Sequence, residues 1–245
     1  MNMKVHTYGD PGADIILIQM VSGNDLEDMD REVAEIKELT YGKKFCLKAV
    51  AVNSWNQDLP PWPAEPILGK EEFGSGAQDT LAFLEEHLFP KEEDTRTPAS
   101  EAYAATRREH PERGSSFIPV KRRKERIYLG GYSLAALFAI WAGFQTDQID
   151  GIAAASPSVW YPGFVDYMRE HEAKVKTAYL SLGNREARTR NPVMSQVAVC
   201  FREAVKILRK SGTVCMMEWN EGNHFRDPEL RTAKGFAWLI NRGGK

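Results

Sequence analysis

Three observations predict an α/β fold for this chain, with a mostly parallel central sheet and helices on both faces. Short apolar runs of strand composition alternate with longer helix-patterned segments along the sequence. Runs such as Ile15 to Val21 are apolar at successive positions, Gln19 apart, rather than alternating, as expected of a parallel strand buried on both sides. The stretch Arg126 to Phe144, RIYLGGYSLAALFAIWAGF, reads as a buried strand, a glycine-rich corner and an apolar helix in succession.

Taken in order, Val5 to Tyr8 suits a short edge strand, and a Gly-Asp-Pro-Gly turn separates it from the central run Ile15 to Val21, which Ser22-Gly23-Asn24 ends. Asp28 to Leu39 places Val33, Ile36 and Leu39 at helical spacing, and the β-rich run Phe45 to Val52 completes a β-α-β unit. Asn53 to Pro63 holds two tryptophans and three prolines directly after a strand end and is expected to be irregular. Loops at the carboxyl ends of parallel strands form the binding face of such sheets, so Trp55 and Trp62 either wall a pocket or pin the loop to the body. Gly76 to Leu88 is an amphipathic helix with Leu81, Leu84 and Leu88 on one side.

From Lys91 to Lys124 apolar residues are sparse and charges of both signs dense, which predicts a surface excursion, partly disordered, with a flap over a site as a second reading. Its basic end, Lys121-Arg122-Arg123-Lys124, lies near acidic residues without interleaved aromatics. It reads as a solvated lead-in rather than a nucleic-acid patch.

Beyond Phe144, Ile152 to Ser156 is a buried strand leading into the aromatic loop Pro157 to Pro162, which carries Trp160. Ala178 to Leu182 is the next strand and Gly183 to Glu186 its exit loop. Pro192 to Lys210 reads as a long helix with proline at its start. Val214 to Trp219 is a strand, Asn220 to Phe225 a loop and Leu230 to Asn241 a closing helix. No internal repeat is present, and 245 residues suit one domain spanning 1–245 with the 91–124 excursion inside it.

A hydrophobic share of 42%, 27% charged residues and a net charge of −2 argue against a general electrostatic role at nucleic acid or membrane. The three cysteines, Cys46, Cys200 and Cys215, sit apart in apolar runs and read as reduced core residues. With no C-x-x-C or His-Cys clustering, neither a metal site nor a cofactor is expected. The first residues lack the apolar centre of a signal peptide and no apolar run reaches about 18 residues, so a cytoplasmic location is expected. Oligomeric state is not legible.

The chemistry centres on Gly131-Tyr132-Ser133-Leu134-Ala135, a nucleophile elbow with its final glycine replaced by alanine. Such a corner lifts the serine hydroxyl clear and aims the first helical N–H groups at charge developing beside it. A Gly-Ser turn without chemistry is the alternative. Serine needs a base, and the base needs an orienting group. Of the five histidines only His224 follows a strand, in the loop Glu221 to Phe225; a capping or surface role is its alternative. Glu186, three residues past Gly183, gives the order Ser133, Glu186, His224 with separations of 53 and 38 residues, the chain order of α/β-hydrolase triads. Asp166, Glu221 and Asp227 compete for the orienting role, and Glu186 has an alternative as an ion-pair partner of Arg185 or Arg188. The backbone N–H groups of Leu134 and Val21 are the candidate oxyanion donors, although the His-Gly common at the second position is replaced by Gln19-Met20.

The pieces GGYSLAALFAIWA around Ser133, WNQDLPPWP at 55 to 63, SPSVWYPGF at 156 to 164, YLSLGNRE at 179 to 186 and GNHF at 222 to 225 together resemble the esterase D, feruloyl esterase and siderophore esterase-like family of α/β-hydrolases. The resemblance spans nearly the whole chain. It implies an α/β-hydrolase fold, a cofactor-free serine esterase acting on a small-molecule ester, and triad positions at Ser133, Glu186 and His224. The chain departs from the family in the missing His-Gly, the alanine ending the elbow and the charged segment 91–124. Trp55, Trp62 and Trp160 are the candidate substrate-binding residues. A non-catalytic binding protein on the same scaffold, or an acyltransferase using the same residues, are the competing functions.

Overall fold

The computed structural model describes residues 3–67, 69–90 and 124–243. The described residues up to Phe89 and from Glu125 form one compact unit. The expected excursion at 91–124, with its basic end and its flap reading, lies outside the described residues except for Lys124.

Seven strands among the described residues form one sheet: β1 (Lys4–Gly9), β2 (Ile15–Val21), β3 (Cys46–Ala51), β4 (Arg126–Tyr132), β5 (Gly151–Ala155), β6 (Thr177–Gly183) and β7 (Val214–Asn220), in the order β1-β3-β2-β4-β5-β6-β7. Only β1 is antiparallel to its neighbour; β2 through β7 run parallel. His6 lies within β1.

The continuous apolar runs have a simple cause. In β2, Ile16, Ile18 and Met20 enter one core while Ile15, Leu17 and Val21 enter the other, so both sides of the strand are apolar except at Gln19, whose amide is hydrogen-bonded to Glu32. The helices are α1 (Met29–Leu39), α2 (Trp55–Asp58), α3 (Ala77–His87), α4 (Leu134–Gln145), α5 (Phe164–Glu170), α6 (Val197–Lys210) and α7 (Pro228–Arg242). α1 and α7 cover one face of the sheet; α3, α4 and α6 cover the other. Every residue of α4 from Leu134 to Phe144 is buried, which explains its lack of a polar side.

Three local expectations are corrected. Asn53–Pro63 contains a helical turn, α2, because the prolines begin only at Pro60 and the Asp58 carboxylate accepts from the Asn53 and Ser54 N–H groups, each at 2.9 Å. The helix expected from Pro192 starts at Val197. Before it, Asn191 Oδ1 accepts from the N–H groups of Val193 and Met194 and holds the chain in a side-chain turn and a 3-10 segment. β4 runs through Gly130-Gly131 to Tyr132, so the corner is Ser133 itself. The seven-residue α5 was not anticipated; it is too short for a periodic pattern to stand out.

The register aligns the carboxyl ends of the central strands. Tyr132 pairs with Ala155, Ala155 with Ser181 and Gly183 with Asn220. Residues following β4, β5, β6 and β7 therefore emerge along one rim.

Candidate active site

Ser133 alone joins β4 to α4, with φ 59° and ψ −117°. A non-glycine residue adopts such a backbone at a cost of about 1–3 kcal/mol, and only when its surroundings hold it there. They do: the Ser133 N–H donates to Ala155 O, and Ser133 O accepts from the N–H groups of Leu137 and Ser158, each at 3.1 Å. Strand and helix approach so closely that a Cβ on Gly131 would lie 2.6 Å from Ala135 Cβ, which accounts for the small residues on either side.

His224 Nε2 lies 3.1 Å from Ser133 Oγ, and His224 Nδ1 lies 2.8 Å from Glu186 Oε2. A carboxylate can only accept, so Nδ1 carries the proton and Nε2 is free to accept from the serine. A second hydroxyl, Ser158 Oγ, stands 3.3 Å from Ser133 Oγ. The side chain of Glu186 is buried, and its Oε1 accepts from the Gly183 N–H at 2.6 Å, the Ser156 hydroxyl at 2.7 Å and Arg231 Nη1 at 3.0 Å. Burial alone pushes this carboxyl up, but the hydrogen bond and charge of His224, with the Ser156 and Gly183 hydrogen bonds, outweigh it and hold the group below its ordinary value. The rival carboxylates are engaged elsewhere: Asp166 with Arg169, and Glu221 and Asp227 with Arg226.

The loops carrying Glu186 and His224 clasp each other. Asn184 Oδ1 accepts from the Gly222 N–H, Gly222 O accepts from the Arg185 N–H, and the Asn184 N–H donates to Asn220 O. Tyr132 Oη donates to His224 O at 2.7 Å, with the two rings 5.2 Å apart. Burial foremost pushes the Tyr132 phenol up to about 12, so it remains a donor at neutral pH.

Leu134 is the first residue of α4, where helical N–H groups have no partner within the helix. Val21 is the last residue of β2, and the next amide, that of Ser22, donates to Asp25 Oδ2 at 2.6 Å. Trp55 lines a cavity of about 40 Å³ together with Met20 and Tyr132. Trp62 Nε1 donates to Pro162 O at 2.9 Å, its carbonyl accepts from Tyr161 Oη, and its ring packs among Tyr161, Phe164 and Tyr167. These contacts pin the β3 exit loop to the β5 exit loop. Trp160 is half-buried against the core on the α4 side, two residues beyond Ser158.

Sequence reasoning missed Tyr132, Ser156, Ser158 and Arg231 as members of this cluster. Arg231 had a legible signal: it shares a helical stripe with the buried Gly235 and Leu239, where an arginine requires a buried partner. Among the described residues there is no group of three or more His, Cys, Asp or Glu placed to hold a metal ion, and no helix long and apolar enough to cross a membrane.

No protein-family model and no curated protein matches the sequence. Solved structures do. A siderophore hydrolase, EstA, from Aspergillus nidulans superposes with a TM-score of 0.63 at 19% identity, over 96% of this chain and 85% of that one. An IroE-like serine hydrolase from Shewanella oneidensis gives 0.67 at 15% identity, over 97% and 75%. The enterochelin esterase of Shigella flexneri gives 0.62 at 13% identity over 98% of this chain, which spans only 55% of that protein. At these identities the likeness establishes the fold, and the chain has the α/β-hydrolase fold.

Proposed function

We propose that the protein is a serine hydrolase that cleaves small-molecule carboxylic esters through an acyl-enzyme. One observation carries the reading: the hydrogen-bonded series Ser133 Oγ, His224 Nε2, His224 Nδ1, Glu186 Oε2, with its two links at 3.1 and 2.8 Å, at the carboxyl rim of a parallel sheet. The names of the structural neighbours, siderophore hydrolase, serine hydrolase and enterochelin esterase, agree with it.

In this mechanism Ser133 Oγ attacks the ester carbonyl while His224 Nε2 takes its proton. Glu186 holds the imidazole in the required tautomer and stabilises the imidazolium. The tetrahedral oxyanion is met by the N–H of Leu134 at the head of α4. His224 then delivers the proton to the departing alcohol, and water repeats the sequence to release the acid and restore Ser133. Trp55 and Trp160 wall the substrate pocket, and Trp62 serves it by holding the β3 and β5 exit loops together.

Two measurements test this. A fluorophosphonate probe is expected to label wild-type protein at Ser133 alone, and Ser133→Ala is expected to reduce hydrolysis of short p-nitrophenyl esters to background while remaining folded. An unlabelled wild-type protein without turnover would point instead to a binding role for the same pocket.

A further inference from the structure

We propose that Arg231 is the positioning residue of this site, fixing Glu186 and His224 relative to each other through the fork of its guanidinium; the inference rests on the reading of Ser133, His224 and Glu186 as one reacting unit. Arg231 lies in the first turn of α7 and is 2% exposed. Nη1 donates toward Glu186 Oε1 at 3.0 Å, Ser156 Oγ at 3.0 Å and Tyr132 Oη at 3.1 Å. Nη2 donates to Glu221 O at 3.1 Å and Asn223 O at 3.0 Å, the carbonyls on either side of Gly222 in the loop that presents His224. One side chain thus ties together residues at the ends of β4, β5, β6 and β7.

The two oxygens of Glu186 divide the work. Oε1 is occupied by Arg231, Ser156 and Gly183, while Oε2 meets His224. Turning the carboxylate away from the imidazole would break three hydrogen bonds at Oε1, so the orientation of Oε2 is set by groups that never touch the histidine. From the histidine's side, Nη2 fixes the backbone just before it and Tyr132, itself bonded to Nη1, fixes the carbonyl of His224. The space is closed as well: a Cβ on Gly183 would lie 2.8 Å from Glu186 Oε1 and 3.0 Å from Arg231 Nη1. Ser156 holds its bridging hydroxyl with φ 46°, another position kept in the left-handed region by its surroundings. Lysine has the charge but not the planar fork, and cannot serve Glu186 and both loop carbonyls at once.

The experiment compares Arg231→Lys and Arg231→Ala with wild type, folding being checked by circular dichroism. Both variants are expected to lose about 100-fold in kcat on a neutral p-nitrophenyl ester with KM nearly unchanged, the scale of a small displacement of reacting groups. Millimolar guanidinium, well below denaturing strength, is expected to restore kcat in Arg231→Ala and not in Arg231→Lys. A second readout needs no turnover: the downfield proton resonance of His224 Nδ1–H, assigned by its loss in His224→Gln, is expected in wild type, absent or broadened in Arg231→Ala and restored by guanidinium. Wild-type kcat in the folded Arg231→Ala protein, or an unchanged Nδ1–H resonance there, overturns the proposal. Should neither Arg231 variant fold, Ser156→Ala removes the hydroxyl shared by Arg231 and Glu186 without stranding a charge; it is expected to broaden the same resonance, and an unchanged resonance counts against the proposal. A wild-type protein that turns over no ester defeats the esterase reading and leaves the resonance to decide the role of Arg231.

Discussion

Gln19 Nε2 donates to Glu32 Oε2 at 3.1 Å in the interior between β2 and α1, and Gln19 Oε1 and Glu32 Oε1 have no hydrogen-bond partner among the described residues. Burial first, with the charges of Glu229 and Asp25 adding and the Gln19 hydrogen bond opposing, lifts the Glu32 carboxyl to about 8.

The native state therefore keeps a proton on Glu32 at neutral pH that the unfolded chain releases. The contribution of Glu32 to stability is complete below about pH 4.5, declines as pH rises, and is lost by about pH 8. The slope from this one group is at most about 1.4 kcal/mol per pH unit. Urea midpoints measured across that range are expected to fall with pH in wild type and to fall less steeply in Glu32→Gln, whose amide does not titrate. Equal slopes in the two proteins would refute the assignment.

Ser133 holds a left-handed backbone that glycine adopts freely. Ser133→Gly is expected to abolish turnover and yet to be more stable than Ser133→Ala by about 1 kcal/mol, relief of strain of about 1–3 kcal/mol exceeding the entropy cost of glycine of about 0.5–1 kcal/mol. Chemical denaturation of the two inactive variants checks this; greater stability of the alanine variant would show that the corner is unstrained.

Gly131 and Ala135 meet where β4 passes under α4. Gly131→Ala is expected to cost about 1–3 kcal/mol and to displace Ser133, lowering turnover. Adding Ala135→Gly removes the opposing methyl and is expected to recover part of both losses. A double-mutant cycle would show coupling above about 0.5 kcal/mol, and strict additivity would exclude a steric cause.

Glu186→Gln keeps the shape of the side chain but removes the charge that holds the imidazole and its tautomer. A loss of about 100- to 10,000-fold in kcat with little change in KM is expected. The lowered pKa of Glu186 makes its contribution to stability present above its ordinary 4.5 and lost as pH falls through its lower folded value. Acid denaturation is accordingly expected to be less steep in the variant.

Much of this was legible because it is local. The elbow could be read from five adjacent residues, and the order Ser133, Glu186, His224 from strand ends recognised one at a time. The start of α6 was misplaced because the Asn191 side chain captures the amides that a helix beginning at Pro192 would need free. The turn α2 was missed because the prolines that follow it dominated the composition of the segment.

By itself the sequence determined the alternation of strands and helices and the burial of the central strands on both faces, since these follow from apolar periodicity within a few residues. Only the tertiary structure decided that Glu186 rather than Asp166, Glu221 or Asp227 faces His224, that Trp62 pins two loops together, and that Arg231 binds the ends of four strands. Those outcomes depend on which strand ends become neighbours. Neighbourhood across a sheet is set by the packing of the whole unit, which no short run of residues encodes.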